Sequence, residues 1–148
     1  MSKKRFAPNG TPVIVQTGAS VIVEDSEGRI LMHQRQDDGT WSYPGGRVEI
    51  DESVEEAARR EVFEEAGIEV GEMSLLGVFS GEELKHVYPD GYDVCGIDIV
   101  YVSHDYKGTL HSVDGEATQL GFYPIDALPQ PISSMNAKQI NAYLATRK

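Results

Sequence analysis

The sequence of 148 residues contains very little cysteine and no long apolar run. Cys95 is the only cysteine, so an intrachain disulfide is excluded. No apolar segment approaches the roughly 20 residues that a membrane-spanning helix requires. The N-terminal segment is basic but lacks the apolar stretch of a secretory signal. The expectation is therefore a cytoplasmic protein without a membrane partner.

Basic residues are also scarce. The chain has 13 Lys and Arg against 24 Asp and Glu, which gives a net charge of −11. This balance excludes a general affinity for the nucleic-acid backbone, because such binding needs a basic surface. A small anionic substrate stays compatible with the charge, since a bound divalent cation can reverse the local field.

The length predicts one domain over residues 1–148, with residues 1–10 as a loose N-terminal segment. Patterns rich in Val and Ile predict a first strand and a returning strand joined as a hairpin, and further strands follow along the chain. Two helices are predicted, one after Ser53 and one at the C-terminus. Many strands without regular alternation with helices predict the α+β class, as a mixed α/β/α sandwich. The predicted strands lie at 11–25, 30–36, 42–50, 73–81, 94–106 and 121–126, and the closing helix at 135–147.

The first helix has clear end signals. Ser53 can cap it, with Glu56 three residues later as in a capping box, and Gly67 can end it. At about 100° per residue, a stripe of small and branched apolar residues faces the core. Phe63 lies opposite this stripe, so we expect it to need a second packing partner. The stripe consists of Val54, Ala58, Val62 and Ala66.

Three glutamates, Glu61, Glu64 and Glu65, border the stripe, and Glu52 precedes the helix. Like charges at this spacing destabilise a helix by a few tenths of a kcal/mol per pair. Carboxylates at the edge of a core need protonation, arginine pairing or a metal ion. Oxygen ligands on a rigid helix suit a hard cation such as Mg²⁺ or Mn²⁺. The alternative is a solvated acidic helix face.

The segment GGRVEIDESVEEAARREVFEEAGI at 45–68 resembles the Nudix box of the MutT-like Nudix hydrolase family. Every fixed position of that signature matches, which makes a chance occurrence very improbable. One departure is Asp51, where many members have glycine, although this position is variable. The matching residues are Gly46, Glu52, Arg60, Glu61, Val62, Glu64, Glu65, Gly67 and Ile68.

The resemblance implies the Nudix fold and metal-dependent hydrolysis of a nucleoside diphosphate linked to another moiety, by attack of water on phosphorus. Mg²⁺ or Mn²⁺ would neutralise the phosphates and lower the pKa of the attacking water. It implies catalytic roles for Glu64, Glu65 and Arg60, with Arg60 fixing the orientation of a box glutamate. The metal ligands would be Gly46, Glu52, Glu61, Glu64 and Glu65. The alternative is a Nudix-fold nucleotide-binding or regulatory module without turnover, which the intact set of box glutamates disfavours.

Outside the box, Glu116 occupies the late-loop position where many Nudix proteins carry an additional acid. It is either the general base or a solvated loop residue. Arg35 and Arg47 are candidates for substrate phosphate contacts, with surface charge as the alternative. Tyr43 is a candidate for stacking on a base, with core packing as the alternative. The four histidines show no metal spacing and receive no role. The sequence leaves the substrate, the number of metal ions, and a monomer or a homodimer open.

Overall fold

The computed structural model describes residues 10, 13–87 and 93–147. The predicted loose segment at 1–10 therefore lies outside the described residues, except for Gly10. Neither of the two described helices has the length and apolar character of a membrane span. In the described part the elements are β1 (Val13–Val23), β2 (Arg29–Arg35), β3 (Trp41–Ser42), β4 (Gly45–Arg47), α1 (Val54–Ala66), β5 (Glu69–Val70), β6 (Ser74–Val87), β7 (Asp93–Ser103), β8 (Tyr106–Lys107), β9 (Ala117–Pro124) and α2 (Ser134–Thr146).

The strands form one larger mixed sheet and two smaller antiparallel ones. The larger sheet has the order β4-β1-β7-β6, and the smaller ones are β3-β2-β9 and β5-β8. Strand β1 pairs parallel with β7 and antiparallel with β4, and β6 pairs antiparallel with β7. The mixed sheet predicted from the sequence is confirmed.

The two helices pack on separate hydrophobic cores, and β1 contributes to both. Val21 and Val23 belong to the core that includes the buried face of α1, whereas Ile22 belongs to the core that includes α2. Because successive side chains of a strand point to opposite faces, the helices cover opposite faces of the sheet. The α/β/α sandwich is therefore confirmed.

The predicted hairpin between the first two strands is wrong in its pairing. The chain does reverse at 25–29, where the Asp25 N–H donates to the Arg29 carbonyl, but β1 and β2 enter different sheets. In the described part of the chain, an isolated antiparallel bridge between Glu24 and Ile30, next to the turn, is the one ladder contact between these two segments. Strand β1 is covered by apolar packing on both faces, and its two edges are already paired with β4 and β7.

Helix α1 begins and ends as its sequence signals predict. The Ser53 hydroxyl accepts a hydrogen bond from the Glu56 N–H at 3.1 Å, and Gly67 adopts a left-handed conformation with φ of 75°. Its N–H donates to the Phe63 carbonyl at 2.8 Å. Phe63, for which a second packing partner was expected, is 42% exposed, so no such packing buries it.

Candidate active site

Strand β4 separates two cavities. Gly46 is opposite Ala19 and Gly45 is opposite Ser20, so the two glycines face different sides of the sheet. A methyl group on Gly46 would come within 2.4 Å of the Glu61 carboxyl carbon, and one on Gly45 within 2.3 Å of the Ser20 Cβ. A side chain at Gly46 would therefore displace the Glu61 carboxylate, and one at Gly45 would clash with β1 itself. Glycine at these positions lets α1 approach one face of β4 and lets β4 lie close to Ser20.

The first cavity, which we call the glutamate cavity, has a volume of about 640 Å³ and includes Glu61, Glu65 and Glu116 in its wall. The Glu65 side chain is only 12% exposed, and its Oε2 accepts a hydrogen bond from the Gly45 N–H at 3.3 Å. Burial and then the neighbouring charge of Glu61 raise the pKa of Glu65 to about 9. Two adjacent carboxyl groups that cannot both ionise hold a proton unless a cation replaces it.

Arg60 binds three carboxylates and a backbone carbonyl. Its Nε and Nη2 donate to the two oxygens of Glu52 at 2.7 and 3.0 Å, and Nη1 donates to Glu61 Oε1 at 2.9 Å. Nη1 also donates to Glu64 at 3.3 Å, and Nη2 to the Arg47 carbonyl at 2.9 Å. The hydrogen bonds from Arg60 lower the pKa of Glu52 to about 2. Both oxygens of Glu52 are thus engaged by Arg60, which differs from the metal-ligand role predicted for this residue.

His33 is a site residue that the sequence reasoning missed. Its Nε2 lies 3.1 Å from Glu65 Oε2 and 3.0 Å from the Ser42 hydroxyl, and the side chain is almost fully buried. Burial, followed by the positive charge of Arg35, lowers the pKa of His33. Leu31 and His33 share one face of β2, and Leu31 packs in the core beneath α1. The alternation of side chains along β2 could have indicated this contact from the sequence, because it places the side chain of residue 33 on the face that α1 covers.

The late loop brings Glu116 to the same cavity. Glu116 is exposed in the cavity wall, its N–H donates to Asp114 Oδ1 at 3.0 Å, and its carbonyl accepts from the Gln36 N–H at 3.2 Å. Arg35 also lines this cavity, where its guanidinium pairs with Asp37 at 2.8 Å. An acid and a cation from outside the box therefore lie beside the box glutamates.

All three predicted substrate residues line the second cavity, on the other side of the glycine pair, and Arg35 lines both cavities. Arg47 is exposed there, and Tyr43 is only 3% exposed, with its hydroxyl bonded to Gln139. Tyr43 therefore has no open ring face for the predicted stacking, because its ring packs in the core that includes α2. Glu64 lines neither cavity, and its side chain is 41% exposed beside Arg60.

The residues around Gly46 fit a hard divalent cation by their chemistry. Glu61 and Glu65 supply oxygen ligands, and burial next to Glu61 raises the pKa of Glu65, which a bound divalent cation would offset. In residues 10, 13–87 and 93–147, no three acidic, histidine or cysteine side chains already converge as a metal-ligand group. Arg60 instead holds Glu61 and Glu64 by hydrogen bonds.

The matching family profile is described as NUDIX domain and covers residues 15–144. The chain is 33% identical over 138 residues to the CTP pyrophosphohydrolase of Escherichia coli K12, an alignment that covers 90% of this chain and 94% of the relative. It is 41% identical over 69 residues to a MutT-like protein of Streptomyces ambofaciens, covering 47% of this chain and 45% of the relative. The chain thus spans less than half the length of this second relative.

The crystal structure of a MutT NUDIX hydrolase from Burkholderia pseudomallei has a similar fold. The two chains superpose with a TM-score of 0.74 at 29% identity, over 87% of this chain and 98% of the other. The profile match, the nearly full-length relative and the fold agree with the intact glutamate box around β4 and α1. The chain therefore belongs to the Nudix family.

Proposed function

We propose that the protein hydrolyses a nucleoside diphosphate linked to another moiety, with Mg²⁺ or Mn²⁺ in the glutamate cavity. The observation that carries this proposal is the buried pair of Glu61 and Glu65 beside the Gly46 backbone. Burial and the neighbouring Glu61 raise the pKa of Glu65 to about 9, and a bound divalent cation would supply the charge that lets both carboxyl groups ionise. When bound, the cation neutralises the phosphates and lowers the pKa of the attacking water.

In this proposal Glu61 and Glu65 bind the cation, together with the backbone of Gly46. Glu64 lies outside this cavity on the exposed side of α1, where its only described ion-pair partner is Arg60, and its role as a further ligand stays a prediction. Glu52 holds Arg60, which fixes the position of Glu61 through the 2.9 Å hydrogen bond. This assignment moves Glu52 from ligand to support, because its two oxygens already accept from the guanidinium.

The remaining chemistry comes from the opposite wall of the cavity. Glu116 takes the proton of the attacking water, because among the acids of the wall it is neither a box glutamate nor, in the described part of the chain, part of an ion pair, whereas Asp37 pairs with Arg35. A carboxylate bound to a divalent cation is a poorer base, since the cation lowers its proton affinity. Arg35 contacts substrate phosphate from the edge shared by both cavities, and Arg47 contacts the part of the substrate that extends across β4.

A nucleotide panel with Mg²⁺ and Mn²⁺ tests the proposal, with CTP included because the Escherichia coli relative is named for it. Nucleoside monophosphate should appear for at least one substrate and disappear with a chelator. Glu61→Gln should lose the activity, whereas Glu56→Gln should keep it, because Glu56 is exposed on the same helix away from the cavity. Ligand binding without any turnover would instead identify a nucleotide-binding module.

A further inference from the structure

The floor of the second cavity includes two glycines of the larger sheet, Gly18 of β1 and Gly96 of β7. The cavity has a volume of about 520 Å³ and shares Arg35, Gly45 and Gly46 with the glutamate cavity. Gly18 is opposite Asp98 in the β1–β7 ladder, and Gly96 is opposite Gln16, so these four residues face the same side of the sheet. Gly18 therefore leaves a gap in the sheet surface between the polar side chains of Gln16 and Asp98, whereas Leu84 lies against Gly96, 3.2 Å from where a methyl group would be.

One carboxylate, Asp98, is held above this floor by a buried hydrogen-bond chain. The Gln139 amide N–H donates to Asp98 Oδ2 at 3.2 Å. The Gln139 carbonyl accepts from the Tyr43 hydroxyl and from the Asn136 amide, the latter at 3.2 Å. Gln139 is 1% exposed, so this chain fixes the position of Asp98 Oδ2 from the protein side.

The second oxygen of Asp98 is directed at the open floor. A methyl group on Gly18 would lie 3.1 Å from Asp98 Oδ1, which shows how closely this oxygen overhangs the glycine. Within the described part of the chain, Oδ1 accepts no hydrogen bond and forms no ion pair, and burial raises the pKa of this carboxyl. This oxygen is therefore available to accept a hydrogen bond from an N–H group of a ligand.

We propose that Asp98 is the residue that selects the base, and that it favours substrates whose base carries an exocyclic amino group. This inference rests on the proposed function, because it places the phosphates in the glutamate cavity and the base across β4. An ionised carboxylate only accepts hydrogen bonds, so it can pair with the amino group of cytosine, adenine or guanine. A carbonyl at the same position, as in uracil or hypoxanthine, presents a second acceptor and is repelled.

The test compares substrates that differ in one amino group, CTP against UTP and ATP against ITP, at pH 8.5. We expect the wild type to favour the amino-bearing member of the better-hydrolysed pair by about tenfold or more in kcat/KM, as for a hydrogen bond to a charged group. Asp98→Asn should bring this ratio below about threefold, because an amide presents either a donor or an acceptor. Asp126→Asn, an exposed carboxylate outside the cavity, should keep the wild-type ratio.

The ratio is measured on one preparation, so a loss of folded protein cancels and a merely structural role of Asp98 would leave it unchanged. A wild-type ratio near one, or an unchanged ratio in Asp98→Asn, would overturn the inference while the proposed function stands. If no nucleotide is hydrolysed, the proposed function fails. The role of Asp98 is then tested by comparing the dissociation constants for CMP and UMP, and for AMP and IMP. Tighter binding of the amino-bearing member, lost in Asp98→Asn, would support the role of Asp98, and equal binding would reject it.

Discussion

Replacing Glu65 by glutamine should make the metal-free protein more stable at alkaline pH. The folded pKa of Glu65 is raised to about 9 from an ordinary value of 4.5, so the native state keeps a proton that the unfolded state has lost. Stability is therefore greatest below pH 4.5 and falls as the pH rises towards 9. The slope is at most about 1.4 kcal/mol per pH unit for one proton. Glutamine has a similar shape and no charge, so the variant should lose this slope.

The interval from pH 7 to 9 isolates this effect from the other shifted groups. The lowered pKa values of Asp37 and Glu52, both about 2, cause losses of stability only below pH 4.5. The lowered pKa of His33 makes stability rise with pH, but only up to about 6.5. The raised pKa of Tyr43 acts only above pH 10. The stabilisation that this one proton on Glu65 gives to the native state is lost as the pH rises. The free energy of unfolding of the wild type therefore falls by about 2 kcal/mol between pH 7 and 9.

Urea unfolding in a chelator at pH 7, 8 and 9 measures this difference directly, through the midpoint at constant slope. The free energy of unfolding of the wild type should fall by about 2 kcal/mol from pH 7 to 9. That of Glu56→Gln, on the exposed face of α1, should fall by the same amount. Glu65→Gln should stay nearly constant. A wild type whose stability does not change from pH 7 to 9, or a Glu65→Gln variant with the wild-type slope, would refute the assignment of this proton.

Three further substitutions separate the roles around the cavity. Arg60→Lys should lower kcat/KM by about 10- to 100-fold despite keeping the charge, because lysine cannot form the planar fork of hydrogen bonds. The control Arg59→Lys, on the same helix, should change kcat/KM little. Similar kcat/KM values for the two variants would refute the proposal that Arg60 positions Glu61. Gly46→Ala should weaken Mn²⁺ binding measured by calorimetry, since its methyl group would overlap Glu61, and wild-type affinity would contradict this. Glu116→Gln should lower kcat by about 10²–10⁴-fold without changing metal affinity in the absence of substrate. A decrease in kcat of less than about threefold would mean that Glu116 is not the general base and that a glutamate of α1 has this role.

The helix and its glutamates were predictable because their signals are local. The caps at Ser53 and Gly67 and the 3.6-residue spacing are readable within the segment itself, and the structure has both caps. The departure at Asp51 also has a local reason: this residue has φ of 64°, a left-handed conformation that glycine adopts at the least cost. A glycine at this position in other family members is therefore consistent with the backbone.

The pairing of β1 and the positions of His33 and Asp98 depend on contacts between distant segments. Alternating Val and Ile mark a strand but do not reveal its neighbours, so the returning β2 was an attractive partner for β1. His33 and Asp98 carry no motif, and each becomes significant only when a strand places it beside Glu65 or Gly18.

The central claim is that turnover needs a divalent cation held by the glutamate pair. The most direct measurement is chromatographic detection of nucleoside monophosphate formed from the nucleotide panel, with Mg²⁺, Mn²⁺ or a chelator, by the wild type and by a variant with both Glu61→Gln and Glu65→Gln. We expect monophosphate from at least one substrate with either cation, and none with the chelator or with the double variant. Equal product in the chelator or from the double variant, or no product from any substrate, would contradict the claim.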